Sequence, residues 1–90
     1  MEQEFNKQYD NPIADITDGL THSKAIAVLT AKMKKGLITN AVWVGYRDCV
    51  GGYYDKWWRY ATNQESDYLM GVQAAINNGA HIEHYIECQG

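Results

Sequence analysis

Residues 43–60 read WVGYRDCVGGYYDKWWRY and hold all three tryptophans and four of the seven tyrosines of a 90-residue chain. How this block folds decides the fold of the whole. Ile38, Val42, Trp43, Val44 and Tyr46 are the β-branched and aromatic types that suit a pleated, half-buried surface, so Ile38 to Asp48 reads as a strand. Val50-Gly51-Gly52 supplies a turn, and Tyr53 to Ala61 reads as the returning strand of a β-hairpin.

Strand side chains alternate between faces, so the hairpin can be split by counting. Val42, Val44 and Tyr46 form the expected core face, matched by Tyr54, Trp58 and Tyr60. Trp43, Tyr53 and Trp57 are left outward, interleaved with Arg47, Asp55 and Arg59. A bulge at the turn would exchange the faces of the second strand and turn Tyr54, Trp58 and Tyr60 out instead. In either register a sheet this small places only part of the aromatic surface in one core.

The flanking segments predict the remaining elements. Thr21 or Ser23 caps a helix to about Lys35, with Ala25, Ile26, Leu29 and Met33 on one face and Gly36 as its terminator. Lys32, Lys34 and Lys35 crowd its last turn, where cations suit the exposed carbonyls. Thr62 and Glu65 have capping-box spacing, and Tyr68, Leu69, Val72, Ala75 and Ile76 make an apolar helical stripe that ends before Gly79. Ala80 to Cys88 alternates like a half-buried strand. Residues 1–20 read as an arm, because Asn11-Pro12 biases Asn11 away from helix and Asp18-Gly19 marks a turn. The expected fold is α+β: one domain, residues 21–90 as the folded core, in the order α-β-β-α-β. A three-stranded antiparallel or mixed sheet would carry two helices on one face.

Composition bounds the rest. With 46 % hydrophobic and 12 % aromatic residues the chain belongs with folded domains, and 90 residues suffice for one core. A net charge of -3 opposes phosphate backbones unless the basic groups are segregated on one patch. No apolar run reaches the ~20 residues of a membrane span, and the first residues lack a secretory pattern, so the cytoplasm is the expected location. Cys49 and Cys88 are accordingly expected to be reduced.

No motif fixes a reaction, and no cofactor is implied. His81, His84 and Cys88 are close in sequence, but a strand puts His81 and His84 on opposite faces, so metal is not expected. Asp48 beside Cys49 raises rather than lowers a thiol pKa. The pairs Asp15/Asp18 and Glu83/Glu87 suit solvated faces, and Gly45, Gly51 and Gly52 lack the Lys-Ser/Thr sequel of a phosphate loop. A catalytic role is therefore not expected.

The outward residues Trp43, Arg47, Tyr53, Asp55, Trp57 and Arg59 carry the functional expectation. Trp, Tyr and Arg are enriched at interface hot spots, which points to a larger protein partner, with a homodimer through the same strand as another user of the surface. The arm, through Phe5, Tyr9 and Ile13, ranks second as a cover for this face. Stacking of single-stranded nucleic acid ranks third because of the net charge. Size, acidity and lack of an export pattern fit, by analogy, an inhibitor of the kind phages direct against a host defence nuclease or another host complex, acting in the host cytoplasm.

Overall fold

The computed structural model describes residues 11–55 and 65–86. Its elements run α1 (Pro12–Thr17), α2 (His22–Lys34), α3 (Asn40–Val50), β1 (Tyr53–Asp55), α4 (Glu65–Asn77) and β2 (His84–Ile86). Four helices and one two-stranded parallel sheet among the described residues overturn the expected three-stranded antiparallel or mixed sheet with two helices.

The correction turns on residues 40–50, read as a strand and folded as α3. Their buried members are Ala41, Val42, Gly45, Tyr46 and Cys49, which fall at i, i+1, i+4, i+5 and i+8. Val42 and Tyr46 are buried as expected, but Val44 and Asp48, which a strand would bury beside them, are only half-buried. Local β propensity yields here to packing, since a preference worth a few tenths of a kcal/mol per residue is readily overridden by tertiary context. The expected hairpin turn is the end of this helix. Gly51 caps it, and Gly52 takes φ +90 while donating its N–H to the Cys49 carbonyl at 2.9 Å. A positive-φ glycine serves a hairpin turn and a helix end equally well, which is why the two readings coincide at this point.

The packing that holds α3 helical is its crossing with α4. A Cβ built on Gly45 would lie against the Tyr68 carbonyl oxygen, and one built on Gly71 against the Val42 carbonyl oxygen. Each glycine therefore lets the partner backbone approach where any side chain would hold it off. Around this crossing the largest fully buried side chains are Tyr46, Tyr54, Tyr68, Leu29 and Val72.

Residues 11–20, expected to be part of an extended arm, form α1 and its exit turn. Asn11 is indeed extended, as a residue before proline should be, yet its side chain accepts from the N–H groups of Ile13 at 3.0 Å and Ala14 at 3.2 Å. Asn-Pro here is an N-cap followed by proline in the first turn, a helix start rather than a helix exclusion. Asn11 Nδ2 also donates to the Met70 carbonyl at 3.2 Å, and Asn78 Nδ2 to the Thr17 carbonyl at 2.7 Å, so both ends of α1 are tied to α4 or its C-cap.

The helix expected from Thr21 is present, with Thr21 accepting from the Lys24 N–H at 3.2 Å. So is the helix ending before Gly79, although Thr62 lies outside the described residues. The strand expected over 80–88 is limited, among described residues, to His84–Ile86. It pairs with β1 in parallel, Tyr53 opposite His84 and Tyr54 opposite Tyr85, so β1, α4 and β2 make a β-α-β unit. The Gly52 carbonyl accepts from both Glu83 N–H and His84 N–H at 2.8 Å and sets this register at the end of α3.

Candidate functional site

With its inner face given to α4, α3 directs Trp43 and Arg47 away from that contact, one turn apart and therefore neighbours on the helix surface. The Arg47 Cζ stands 4.6 Å from the centroid of the Trp43 ring, a cation–π contact. Trp43 is half-buried, and its Nε1–H donates to Thr30 Oγ1 on α2 at 2.8 Å; Thr30 in turn donates to the Ile26 carbonyl at 2.7 Å. One turn past Arg47 the chain has Gly51, and the ring of Tyr53 fills the space beside it, 3.4 and 3.7 Å from where a Cβ would stand. Tyr53 is 45 % exposed and meets the His84 ring at 5.5 Å with a 32° tilt. Trp43, Arg47, Tyr53 and His84 thus follow one another along a ridge.

The structure therefore brings together three of the six residues expected from the sequence, for a different reason. Trp43 and Arg47 share a face by a helical period of four, and Tyr53 joins them by packing on Gly51. Trp43 is not the fully outward ring of a hairpin but is held between α2 and α3. Asp55 is half-buried, and its backbone N–H donates to the Tyr68 hydroxyl at 2.7 Å. Trp57 and Arg59, like Trp58 and Tyr60 of the expected core face and Phe5 and Tyr9 of the expected cover, lie outside the described residues.

Behind the ridge is a polar cluster that sequence reasoning missed. The Tyr68 hydroxyl donates to Asp48 Oδ2 at 3.2 Å, and Asp48 Oδ1 lies 3.6 Å from the Arg47 guanidinium. Burial pushes the Asp48 carboxyl above its ordinary value, against the lowering effect of the Tyr68 hydrogen bond and the Arg47 charge. Burial, reinforced by the Asp48 charge, also pushes the Tyr68 hydroxyl up. Cys49 is fully buried, and its thiol is pushed up to about 12 by burial and by Asp48, which leaves it without nucleophilic character near neutrality. A helical reading would have put Asp48 one residue outside the buried stripe; the signal was Ala41, Gly45 and Cys49 at intervals of four.

The three histidines have different partners. His22 Nδ1 lies 3.2 Å from the Tyr46 hydroxyl, which also accepts from Asn78 Nδ2 at 3.1 Å. His81 Nε2 lies 3.3 Å from Glu83 Oε2, and His84 stacks on Tyr53. His22, Gly52, Gly79, His81 and Glu83 line an open cleft of about 250 Å³ where α3 and α4 both end. Among the described residues no three His, Cys, Asp or Glu side chains are placed to hold a metal ion; Cys88 lies outside them. No helix of the described residues is long and apolar enough to cross a membrane. No protein-family model, curated protein or solved structure matches this chain.

Proposed function

We propose that the protein is a small non-enzymatic binding protein that works in the cytoplasm by covering a site on a larger protein with the ridge of Trp43, Arg47 and Tyr53. The observation that supports this reading is the convergence of these three side chains on one rigid support. They are the types enriched at interface hot spots, and two of them are already fixed before any partner arrives: Trp43 by Thr30, Arg47 by the Trp43 ring. Side chains fixed in advance lose less entropy on association, about 0.5–1.5 kcal/mol less for each one. Occupation of a partner's site is also how small acidic inhibitors act, and an inhibitor, of phage origin and aimed at a host defence complex, is the form the proposal takes.

The test is capture of partners from lysate by the tagged protein and by the double variant Arg47→Ala, Tyr53→Ala. Both positions are exposed, so the variant should keep its helical circular dichroism and lose no more than about 1 kcal/mol of stability. Loss of the captured protein with the fold intact is the expected result. Retention of the same protein by the double variant, or capture of nothing by the parent chain, overturns the reading.

A further inference from the structure

Charge along this chain is divided. Residues 19–47 contain no aspartate or glutamate and five basic residues, Lys24, Lys32, Lys34, Lys35 and Arg47; all eleven acidic residues and the other three basic ones lie outside that stretch. The stretch carries net +5 in a protein of net -3. Folding keeps the division: among the described residues every lysine and arginine stands on α2, at its C-cap Lys35, or on α3, whereas α1, α4 and β2 carry none. Ala25 and Leu29 turn one face of α2 inward, and Lys24, Lys34 and Lys35 stand exposed on the other. Lys34 is one turn beyond Thr30, the residue that holds the Trp43 indole. Lys34 therefore stands on the side of α2 that carries Thr30 and, through it, the Trp43 indole.

We infer that the partner surface recognised by this ridge is acidic: a protein segment rich in aspartate and glutamate that lies across Trp43 and Arg47 and reaches the lysines of α2. This deepens the proposed function and rests on it. Charge complementarity carries the inference: the exposed Lys24, Lys34 and Lys35 of α2 and Arg47 of α3, the last paired in part with Asp48 at 3.6 Å, stand on a molecule of net -3 and favour a partner of negative charge on this side. A polypeptide fits better than single-stranded nucleic acid. Base stacking needs free ring faces, but Arg47 covers a face of the Trp43 ring, and α2 carries no Phe, Tyr or Trp, its His22 ring being packed edge-on against Tyr46.

The experiment is a titration of the isotopically labelled chain, followed by amide and indole NMR signals, with a glutamate peptide of about 15 residues and, in parallel, with an oligothymidylate of equal charge. The peptide should shift the signals of Lys34, Trp43 Nε1 and Arg47, with affinity falling about tenfold or more between low salt and about 0.3 M salt. The double variant Lys34→Glu, Arg47→Glu should lose at least about tenfold in affinity while retaining its fold. Tighter binding of the oligonucleotide at the same residues overturns the inference in favour of nucleic acid. Self-association of the chain through these residues overturns it in favour of a second copy, and absence of shifts at low salt overturns it outright. The two readings fail separately: if Arg47→Ala with Tyr53→Ala abolishes partner capture, but salt and Lys34→Glu leave capture unchanged, the ridge stands and the acidic partner does not.

Discussion

Gly45 of α3 and Gly71 of α4 each face the other helix's backbone, Gly45 against the Tyr68 carbonyl and Gly71 against the Val42 carbonyl. The relation is reciprocal, so neither helix can give way without moving the other. Alanine at either position gains up to about 1 kcal/mol of intrinsic helix propensity. Against that, the added methyl at Gly71 would also stand 2.8 Å from the Tyr46 nitrogen, and that at Gly45 3.2 Å from the Val72 nitrogen. Backbone atoms do not swing aside like the end of a side chain, and overpacking costs about 1–3 kcal/mol or more. Gly45→Ala and Gly71→Ala are each expected to lower unfolding free energy by about 2 kcal/mol in urea denaturation. An unchanged or raised midpoint for both would show that the crossing is looser than its geometry.

The same crossing explains what could and could not be read from the residues. Caps announce themselves locally, and the ends of α2 and the C-terminal end of α4 follow from Thr21, Gly36 and Gly79. A helix such as α3, rich in valine and aromatics, is decided by a partner more than twenty residues away. Val42, Trp43, Val44 and Tyr46 satisfy a strand template and a helix template alike, and only the spacing of the small residues Ala41, Gly45 and Cys49 at intervals of four points to the helix, against glycine's own low helix propensity. Asn11-Pro12 had the opposite ambiguity: the constraint on Asn11 was read correctly and its meaning was not, because an extended residue before proline is also what an N-cap requires. Trp43, Arg47 and Tyr53 could be grouped from the sequence as the proposed binding residues because types enriched at interfaces remain such on either backbone, whereas the Asp48–Tyr68 pair depends on tertiary placement alone.

The bond from Trp43 Nε1 to Thr30 Oγ1 fastens α2 to α3 beneath the proposed binding ridge. Trp43→Phe keeps a ring under Arg47 but deletes the donor, and Thr30→Val deletes the acceptor. Each should cost about 1 kcal/mol, with a coupling of about 0.5–1.5 kcal/mol in the double-mutant cycle. Strict additivity would mean that the two side chains act independently. Trp43→Ala, by removing both packing and bond, is expected to cost more, about 2 kcal/mol or above, and so reports stability rather than recognition.

Asp48 gives the fold a pH dependence of definite sign. Burial holds its carboxyl above the ordinary value, so the folded chain keeps this proton to higher pH than the unfolded one. The stability Asp48 contributes is then fully present below the ordinary carboxylate value and is lost as pH rises through the raised one. Asp48→Asn should remove that downward step and leave stability at pH 7 equal or higher, because the amide oxygen still accepts from Tyr68. Tyr68→Phe should do the reverse: it deletes the acceptor of the Asp55 N–H and the donor to Asp48, costs about 1–3 kcal/mol, and moves the step to higher pH. Thermal melts from pH 3 to pH 8 of the three proteins check this, and a step that persists in Asp48→Asn would assign it to another group.

Cys49 offers a direct measure of how often the α3–α4 core opens. Its thiol is fully buried and pushed up to about 12 by that burial and by Asp48, so the thiolate is scarce at pH 8 in the folded protein. Reaction with a disulfide reagent in the native protein therefore requires opening of the core, and its rate should fall well below that of a small-molecule thiol. Reaction should become complete and fast in urea above the unfolding midpoint, with mass spectrometry of the peptide holding Cys49 separating it from Cys88. Gly71→Ala, by wedging the crossing apart, should raise the native rate at Cys49 in proportion to the stability it removes, about tenfold for each 1.4 kcal/mol. A fast native reaction at Cys49 that is insensitive to that substitution would place the thiol at a permanently accessible position, and the core described around Tyr46, Gly71 and Val72 would not be the one the protein adopts in solution.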